Sequence, residues 1–341
     1  MYIIRDALKL ISLIPATFAL SLFIVNASLA KPVKIVVLGD MPYGKDQVRS
    51  LEFIGSKIRK AGFPFVIHYG DFKGGGAKCD DSLLTKRRDV LANLVKGGLF
   101  YTPGDNDWTD CDRPQAGGYD ELKRLDKIRS LFFSHNMPSK AEWMVARQNP
   151  DYPENARWTL GNLQFVTLHI VGSDNGRQEI LKTDPPAKAL NAVDARDEAN
   201  LKWLDAAFDQ AGKDNRDGLI IAAHADPADL INRKYRNRPC SKTERTACNP
   251  YLPFLQRLTK RANLFDKPVL FVHGSTNNFC LDQTYGGWKA AKLWRLNGPG
   301  DFVTIDAAVI RFDPHARKPF QIQGILTEDP VPPCDLQERL K

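Results

Sequence analysis

The sequence predicts an α/β fold with parallel strands, and three observations carry that reading. Short apolar, β-branched runs recur along the chain, the mark of buried strands. Amphipathic helical patterns, each with a capping residue and a glycine stop, lie between the first of these runs. Gly-Asp pairs close three successive runs, at Gly39-Asp40, Gly70-Asp71 and Gly104-Asp105. Alternating strand and helix builds βαβ units, whose strands lie parallel.

Taken in order, the first segment is an address. Arg5 and Lys9 give a positive start, an apolar stretch runs from Leu10 to Val25, and small residues Ser28 and Ala30 precede Lys31. That is the layout of a signal peptide over 1–30, with cleavage after Ala30. The alternative is an uncleaved anchor, since the stretch is nearly long enough to span a bilayer. The expected location is periplasmic or secreted, or else N-terminally membrane-anchored and facing outside the cytoplasm. Cleavage would leave residues 31–341 as one domain with no membrane span.

The first strand is expected over Val33 to Leu38. Asp46 can cap a helix that buries Leu51, Ile54 and Ile58 and closes near Gly62. Phe63 to Tyr69 reads as the second strand. Asp81 can cap a helix carrying Leu84, Val90, Leu91 and Leu94, stopped by Gly97-Gly98. Strands are then expected over Leu99 to Thr102, Leu163 to Val171, Leu219 to Ala223 and Val269 to Val272. Helices are expected over Tyr119 to Phe133, Ala195 to Ala211 and Leu252 to Ala262. Residues 141–162 and 233–249 are polar and Pro-containing and read as excursions from the domain. Phe302 to Phe312 and Phe320 to Leu326 read as an antiparallel pair around Asp313-Pro314.

Composition bounds the function. The chain has 341 residues, 43% apolar and 26% charged, with six Cys. This excludes disordered, collagen-like and multi-span membrane classes, and the Cys are too sparse for a small disulfide scaffold. The formal net charge is +8. Its tightest groups are Lys86-Arg87-Arg88 and Arg233-Lys234 with Arg236 and Arg238. Only Tyr235 interleaves them, short of the repeated stacking pattern of a single-strand reader, so nucleic acid is not an expected partner. An even Cys count in an exported chain favours disulfides.

The Gly-Asp pairs are where chemistry could sit. In open α/β sheets the ligand crevice lies at the carboxyl ends of the strands. Asp40, Asp71 and Asp105 would project into one crevice, and carboxylates so close need a cation or raised pKa values. A hard metal ion is the economical explanation. Two later strands end in further candidates: His224 and Asp226 in Ala223-His224-Ala225-Asp226, and His273-Gly274-Ser275-Thr276-Asn277. His68 and His169 fall inside strands and read as structural.

These five strand ends resemble the calcineurin-like metallophosphoesterase superfamily. More narrowly, Gly39-Asp40-Met41-Pro42-Tyr43 and the stretch Tyr101-Thr102-Pro103-Gly104-Asp105-Asn106-Asp107-Trp108-Thr109-Asp110-Cys111 are similar to an exported bacterial subgroup, as is His169 to Asn175. The resemblance covers roughly Val33 to Leu326. It implies two mixed β-sheets sandwiched between helices, and hydrolysis of phosphate esters at a dinuclear metal centre.

Carried across residue by residue, it implies metal ligation by Asp40, Asp71, Asp105 and His224, with Asp71 bridging. Pro42 and Asn277 stand where the first metal's two His would be. Ser275 replaces a His of the second site, and Asp105 replaces its Asn. Asn106 stands where the superfamily has its catalytic His, so Asn106 is left to orient substrate or water. Leaving-group protonation then falls to Asp107, Asp226, His273 or water. His273, Ser275 and Asn277 would line the site. The oxygen-rich set suits Mg²⁺, Mn²⁺ or Ca²⁺ better than Zn²⁺, with iron open, at one firm site rather than two.

The expected activity is a metal-dependent phosphoesterase acting on a small-molecule phosphate ester. The alternative is a degenerate member of the same fold that binds an anionic ligand without turning it over. For the disulfides, Cys79 follows the second Gly-Asp and Cys111 the third, so loops rimming one crevice would make them neighbours. Cys240 and Cys248 bracket a short loop, which leaves Cys280 with Cys334. Six Cys allow fifteen pairings, so the sequence alone does not decide.

Overall fold

β1 (Val33–Leu38) faces two cores at once. Ile35 and Val37 point to one and Val36 and Leu38 to the other, all fully buried, as strand alternation requires. A computed structural model of the chain describes residues 32–134, 138, 140–178, 186–228, 233–276, 278–283 and 290–335. The expected leader over 1–30 and Asn277 lie outside these residues.

The chain continues through α1 (Lys45–Ala61), β2 (Val66–His68), α2 (Asp81–Ala92), β3 (Leu99–Tyr101) and α3 (Glu121–Phe132). Next come β4 (Ala146–Arg147), β5 (Ala156–Leu160), β6 (Leu163–Thr167), α4 (Pro186–Lys213), β7 (Gly218–Ala222), α5 (Leu252–Phe265) and β8 (Val269–His273). It closes with β9 (Cys280–Asp282), β10 (Leu293–Asn297), β11 (Ala308–Phe312) and β12 (Phe320–Gly324).

These strands form two mixed sheets, in the orders β12-β11-β1-β2-β3 and β4-β5-β6-β7-β8-β10-β9. β1, β2 and β3 run parallel, and so do β6, β7, β8 and β10. The inner faces meet in an aromatic-rich core, where Ile35, Val37, Phe65 and Ile67 pack with Trp158, Phe165, Ile220 and Leu270. Phe100 stacks on Trp158 with centroids 3.6 Å apart. On the outer face of the first sheet, Val36, Leu38 and Val66 pack under Leu51, Ile54 and Ile58 of α1, Leu84 and Leu91 of α2, and Ile128 of α3. On the outer face of the second, Val166, Leu219, Ile221 and Phe271 pack under Leu204 and Phe208 of α4 and Leu258 of α5. The result is four layers, helix–sheet–sheet–helix, as expected.

The differences from expectation are local. α1 starts at Lys45 behind Gly44 with no side-chain cap, and Asp46 lies in its first turn, where a negative charge suits the helix dipole. α2 is capped by Asp80, whose carboxylate accepts from the Leu83 N–H at 2.8 Å, one residue before the expected cap. Residues 141–162 are not simply an excursion, because they supply β4 and β5 to the edge of the second sheet. β9 and β10 extend the other edge. The disulfides are Cys79–Cys111, Cys240–Cys248 and Cys280–Cys334. Among the described residues, no helix is long and apolar enough to cross a membrane.

Candidate metal centre

Parallel strands deliver their carboxyl ends to one side, and each end there turns sharply. Asp40 follows β1, Asp71 follows β2, Asp105 follows β3 and His224 follows β7. Asp40 (φ 50°) and Asp71 (φ 58°) both adopt the left-handed conformation, which aspartate tolerates better than most residues. Local hydrogen bonds hold these turns: the Asp40 N–H donates to the Gly70 carbonyl and the Asp71 N–H to Asp107, each at 2.9 Å. Two glycines make room. A Cβ on Gly104 would lie 2.0 Å from the Asp71 carboxylate, and one on Gly274 would lie 2.0 Å from that of Asp40.

The carboxylates of Asp40 and Asp71 and a ring nitrogen of His224 converge, with ligand atoms all within 4.8 Å of one another. All three side chains are buried. The His224 Nδ1–H is turned to the Tyr69 carbonyl at 3.1 Å, so Nε2 faces the acids. A metal-ligating imidazole commonly ties its other N–H to a carbonyl in this way. Nε2 lies 3.5 Å from Asp71 Oδ2 and 2.8 Å from Asp105 Oδ1. The 2.8 Å approach is an ion pair when the ring is protonated; without a proton on Nε2 it leaves two buried acceptors facing each other, which a shared cation would satisfy. The donor set, three carboxylates and one imidazole, suits a hard or borderline divalent ion.

The electrostatics agree. Burial pushes Asp40 up to about 6, with His224 pulling the other way. Burial also raises Asp71 against the pull of His224, and Asp105 and Asp107 add to the rise. Burial would hold His224 neutral, but Asp71, Asp105 and Asp40 drive its pKa well above 6.5. Burial would raise Asp105, but His224 and the Ser173 hydroxyl hold it below the ordinary carboxylate value. The His224 ring is thus the nearest counter-charge to the three acids, with the buried Lys73 also acting on Asp71, and a divalent cation would relieve the remaining repulsion.

The remaining expected residues divide. The Asn106 N–H donates to Asp71 Oδ1 at 2.9 Å, and its half-buried carboxamide faces Gly75. Asp107 does not face the crevice mouth. It is fully buried and accepts from the N–H groups of Asp71, Phe72 and Gly104 and from the Tyr101 hydroxyl, at 2.7–2.9 Å. Both its oxygens are engaged, so it fixes the two loops rather than offering a proton. His273 is held away from the acids, since its Nε2 accepts from Arg295 Nε at 2.7 Å. Arg295, itself buried, also approaches Asp226 at 3.7 Å and Asp282 at 3.3 Å. Asp226 therefore belongs to this neighbouring network. Ser275 is exposed, and its backbone N–H donates to Asp40 Oδ2 at 3.1 Å.

Two participants escaped the sequence reading. The Tyr43 hydroxyl lies 3.3 Å from Asp40 Oδ1 and 3.4 Å from Asp71 Oδ2, spanning both acids. Its place in the Gly39–Tyr43 motif was the available signal. Ser173 donates to Asp105 Oδ2, 2.9 Å away, and contacts Asp110 at the same distance. It sits on a left-handed turn in which Ser173, Asp174 and Asn175 have φ of 50°, 52° and 59°. Consecutive left-handed residues are rare outside glycine, and the resemblance of the His169 to Asn175 stretch was the available signal.

No protein-family model and no curated protein matches the chain. Among solved structures, a dimetal phosphatase from Danio rerio aligns over 86% of this chain and 96% of its own, with TM-score 0.50 and 12% identity. The anchor protein of the Plasmodium inner membrane complex aligns over 89% and 90%, with TM-score 0.47 and 11% identity. A Candida albicans 5′-nucleotidase aligns over 85% of this chain and 51% of its own, with TM-score 0.43 and 10% identity, so this chain spans about half its length. At 12% identity the likeness to the dimetal phosphatase shows the fold: two mixed sheets between helices, the metallophosphoesterase-like arrangement.

Proposed function

We propose that the protein is a metal-dependent hydrolase of small phosphate esters, with one firm cation site held by Asp40, Asp71, Asp105 and His224. The observation that carries this reading is the buried convergence of Asp40, Asp71 and His224, with Asp105 2.8 Å from His224. A divalent cation bound there would supply charge stabilisation at a phosphoryl oxygen and a lowered pKa for water.

The chain's own residues supply the rest. Asn106, fixed through its backbone to Asp71, presents a carboxamide that can orient a phosphoryl oxygen or water. The Tyr43 hydroxyl spans Asp40 and Asp71 and can donate to the same group. With Asp107 and His273 engaged elsewhere, leaving-group protonation falls to water. Loss of a positioned acid typically costs about 10²–10⁴-fold, so esters with good leaving groups should react best.

The test is elemental analysis of the purified protein, together with hydrolysis of an aryl phosphate in added Mn²⁺ or Mg²⁺. Bound metal and metal-dependent cleavage support the reading. A metal-free, inert protein points to the second reading, an anion-binding protein on the same fold. That reading is favoured by His224, which can charge to offset the acids without a metal.

Export with cleavage after Ala30 belongs to the same proposal, and three disulfides suit an oxidising compartment. Intact mass of the extracytoplasmic protein should correspond to residues 31–341. A mass that retains 1–30 would mean an uncleaved anchor.

A further inference from the structure

An exposed aromatic residue stands at the rim of the acidic cluster and is held there. Phe302 is 78% exposed and its neighbour Val303 is 66% exposed. A single exposed apolar residue needs no explanation, but this one is not on a loose loop. The Asp301 N–H donates to the carbonyl of Asp40, itself one of the clustered acids, at 2.7 Å. Gln47 donates to the Asp301 carbonyl at 2.6 Å, and the Tyr69 hydroxyl donates to the Pro299 carbonyl. At Gly300 the loop abuts β1's end so closely that a Cβ would lie 2.3 Å from the Gly39 carbonyl oxygen. The backbone beneath Phe302 is therefore tied to the residue that carries the first carboxylate.

The ring is also oriented. Phe302 meets Tyr43 edge-to-face, with centroids 5.3 Å apart and planes at 61°. The far end of the same Tyr43 reaches Asp40 and Asp71. A single tyrosine side chain thus links the charged centre to an open aromatic face. A ligand with its phosphate at the acids could lay a ring on Phe302 and leave the tyrosine in place.

We propose that Phe302, edged by Tyr43 and Val303, is a platform for an aromatic group on the ligand, so that the site prefers phosphate esters carrying an aromatic ring next to the phosphate. This rests on the phosphoesterase reading above and adds the substrate class to it. Stacking on one aromatic face corresponds to roughly tenfold in affinity.

The test uses the full mature protein with Mn²⁺ and two non-hydrolysable probes, phenylphosphonate and methylphosphonate, titrated by calorimetry. Binding is the readout because aryl esters also react faster for reasons of leaving-group chemistry. The wild type should bind phenylphosphonate about tenfold more tightly than methylphosphonate. Phe302→Ala should collapse that preference towards unity, with bound Mn²⁺ per chain retained. Equal affinity of the wild type for both probes overturns the platform and leaves the phosphoesterase reading standing. So does a Phe302→Ala protein that loses both probes equally, which marks a structural role. Binding of neither probe overturns the platform together with the reading beneath it.

Discussion

Asp107 shows how far residue type and spacing reach at a single position. It lies in the Gly104-Asp105-Asn106-Asp107 run after Asp105, which faces His224, and Asn106, whose carboxamide faces Gly75, and nothing in that run says which way each side chain turns. The structure turns Asp107 inward to accept three backbone N–H groups and a tyrosine hydroxyl. Burial raises its pKa while those donors pull it down. Asp107→Ala should cost on the order of 3 kcal/mol in urea denaturation, because several buried donors lose their acceptor together. Full stability with a selective loss of turnover would instead restore a proton-donor role. Asp40 and Asp71 were legible because a Gly-Asp at a strand end has few places to go. The roles of Tyr43 and Ser173 were not, because Tyr43 bridges to Asp71 on the next loop and both partners of Ser173 lie more than 60 residues away.

At the scale of elements, the first half of the fold was written locally. β1, α1 and α2 carry their own periodicity, β2 and β3 sit in apolar runs closed by Gly-Asp, and their core residues fall on the expected faces. The edges of the second sheet were not legible. β4 and β9 span two and three residues, too short to show a period. β10 contains a buried arginine, Arg295, whose partners Asp226 and Asp282 come from other segments. The Cys79–Cys111 bond ties the loop after β2, which carries Asp71, to the loop after β3, which carries Asp105, across a separation of 32 residues. Removing it as Cys79→Ala with Cys111→Ala should lower stability by about 3–4 kcal/mol from the freed loop entropy. It should also weaken Mn²⁺ binding, since two ligand loops lose their common tie. Thermal and calorimetric titrations check both, and unchanged Mn²⁺ affinity would show that hydrogen bonds such as those of Asp107 and Asn106 hold the loops without the disulfide.

For the whole molecule, the buried His169–Glu154–Arg129 group sets a dependence on pH. His169 Nδ1 donates to Glu154 at 2.8 Å, and Arg129 donates to the same carboxylate at 2.8 Å. Burial lowers His169 to about 4 from 6.5. Burial opposes ionisation of Glu154, but His169 and Arg129 bring it to about 2 from 4.5. Both folded values lie below the unfolded ones, so the unfolded chain binds protons first as the pH falls. The His169 contribution is complete above pH 6.5 and is lost towards pH 4; that of Glu154 is lost between 4.5 and 2. Asp40, Asp71 and His224, whose folded values are raised, act in the opposite sense over the same range, so the readout is the difference in urea-denaturation stability between wild type and His169→Asn, which should shrink as the pH falls from 6.5 towards 4.5. A difference that does not change with pH would contradict it. The central claim, however, is the cation site. Its most direct test is calorimetric titration of Mn²⁺ into chelator-treated mature protein, wild type beside Asp71→Asn, with circular dichroism confirming that both are folded. One site per chain is expected in the wild type and at least about tenfold weaker binding in the folded Asp71→Asn protein, since the lost carboxylate is the one shared between Asn106, Tyr43 and His224. A wild type that binds no Mn²⁺, or an Asp71→Asn protein that binds it equally well, would contradict the account.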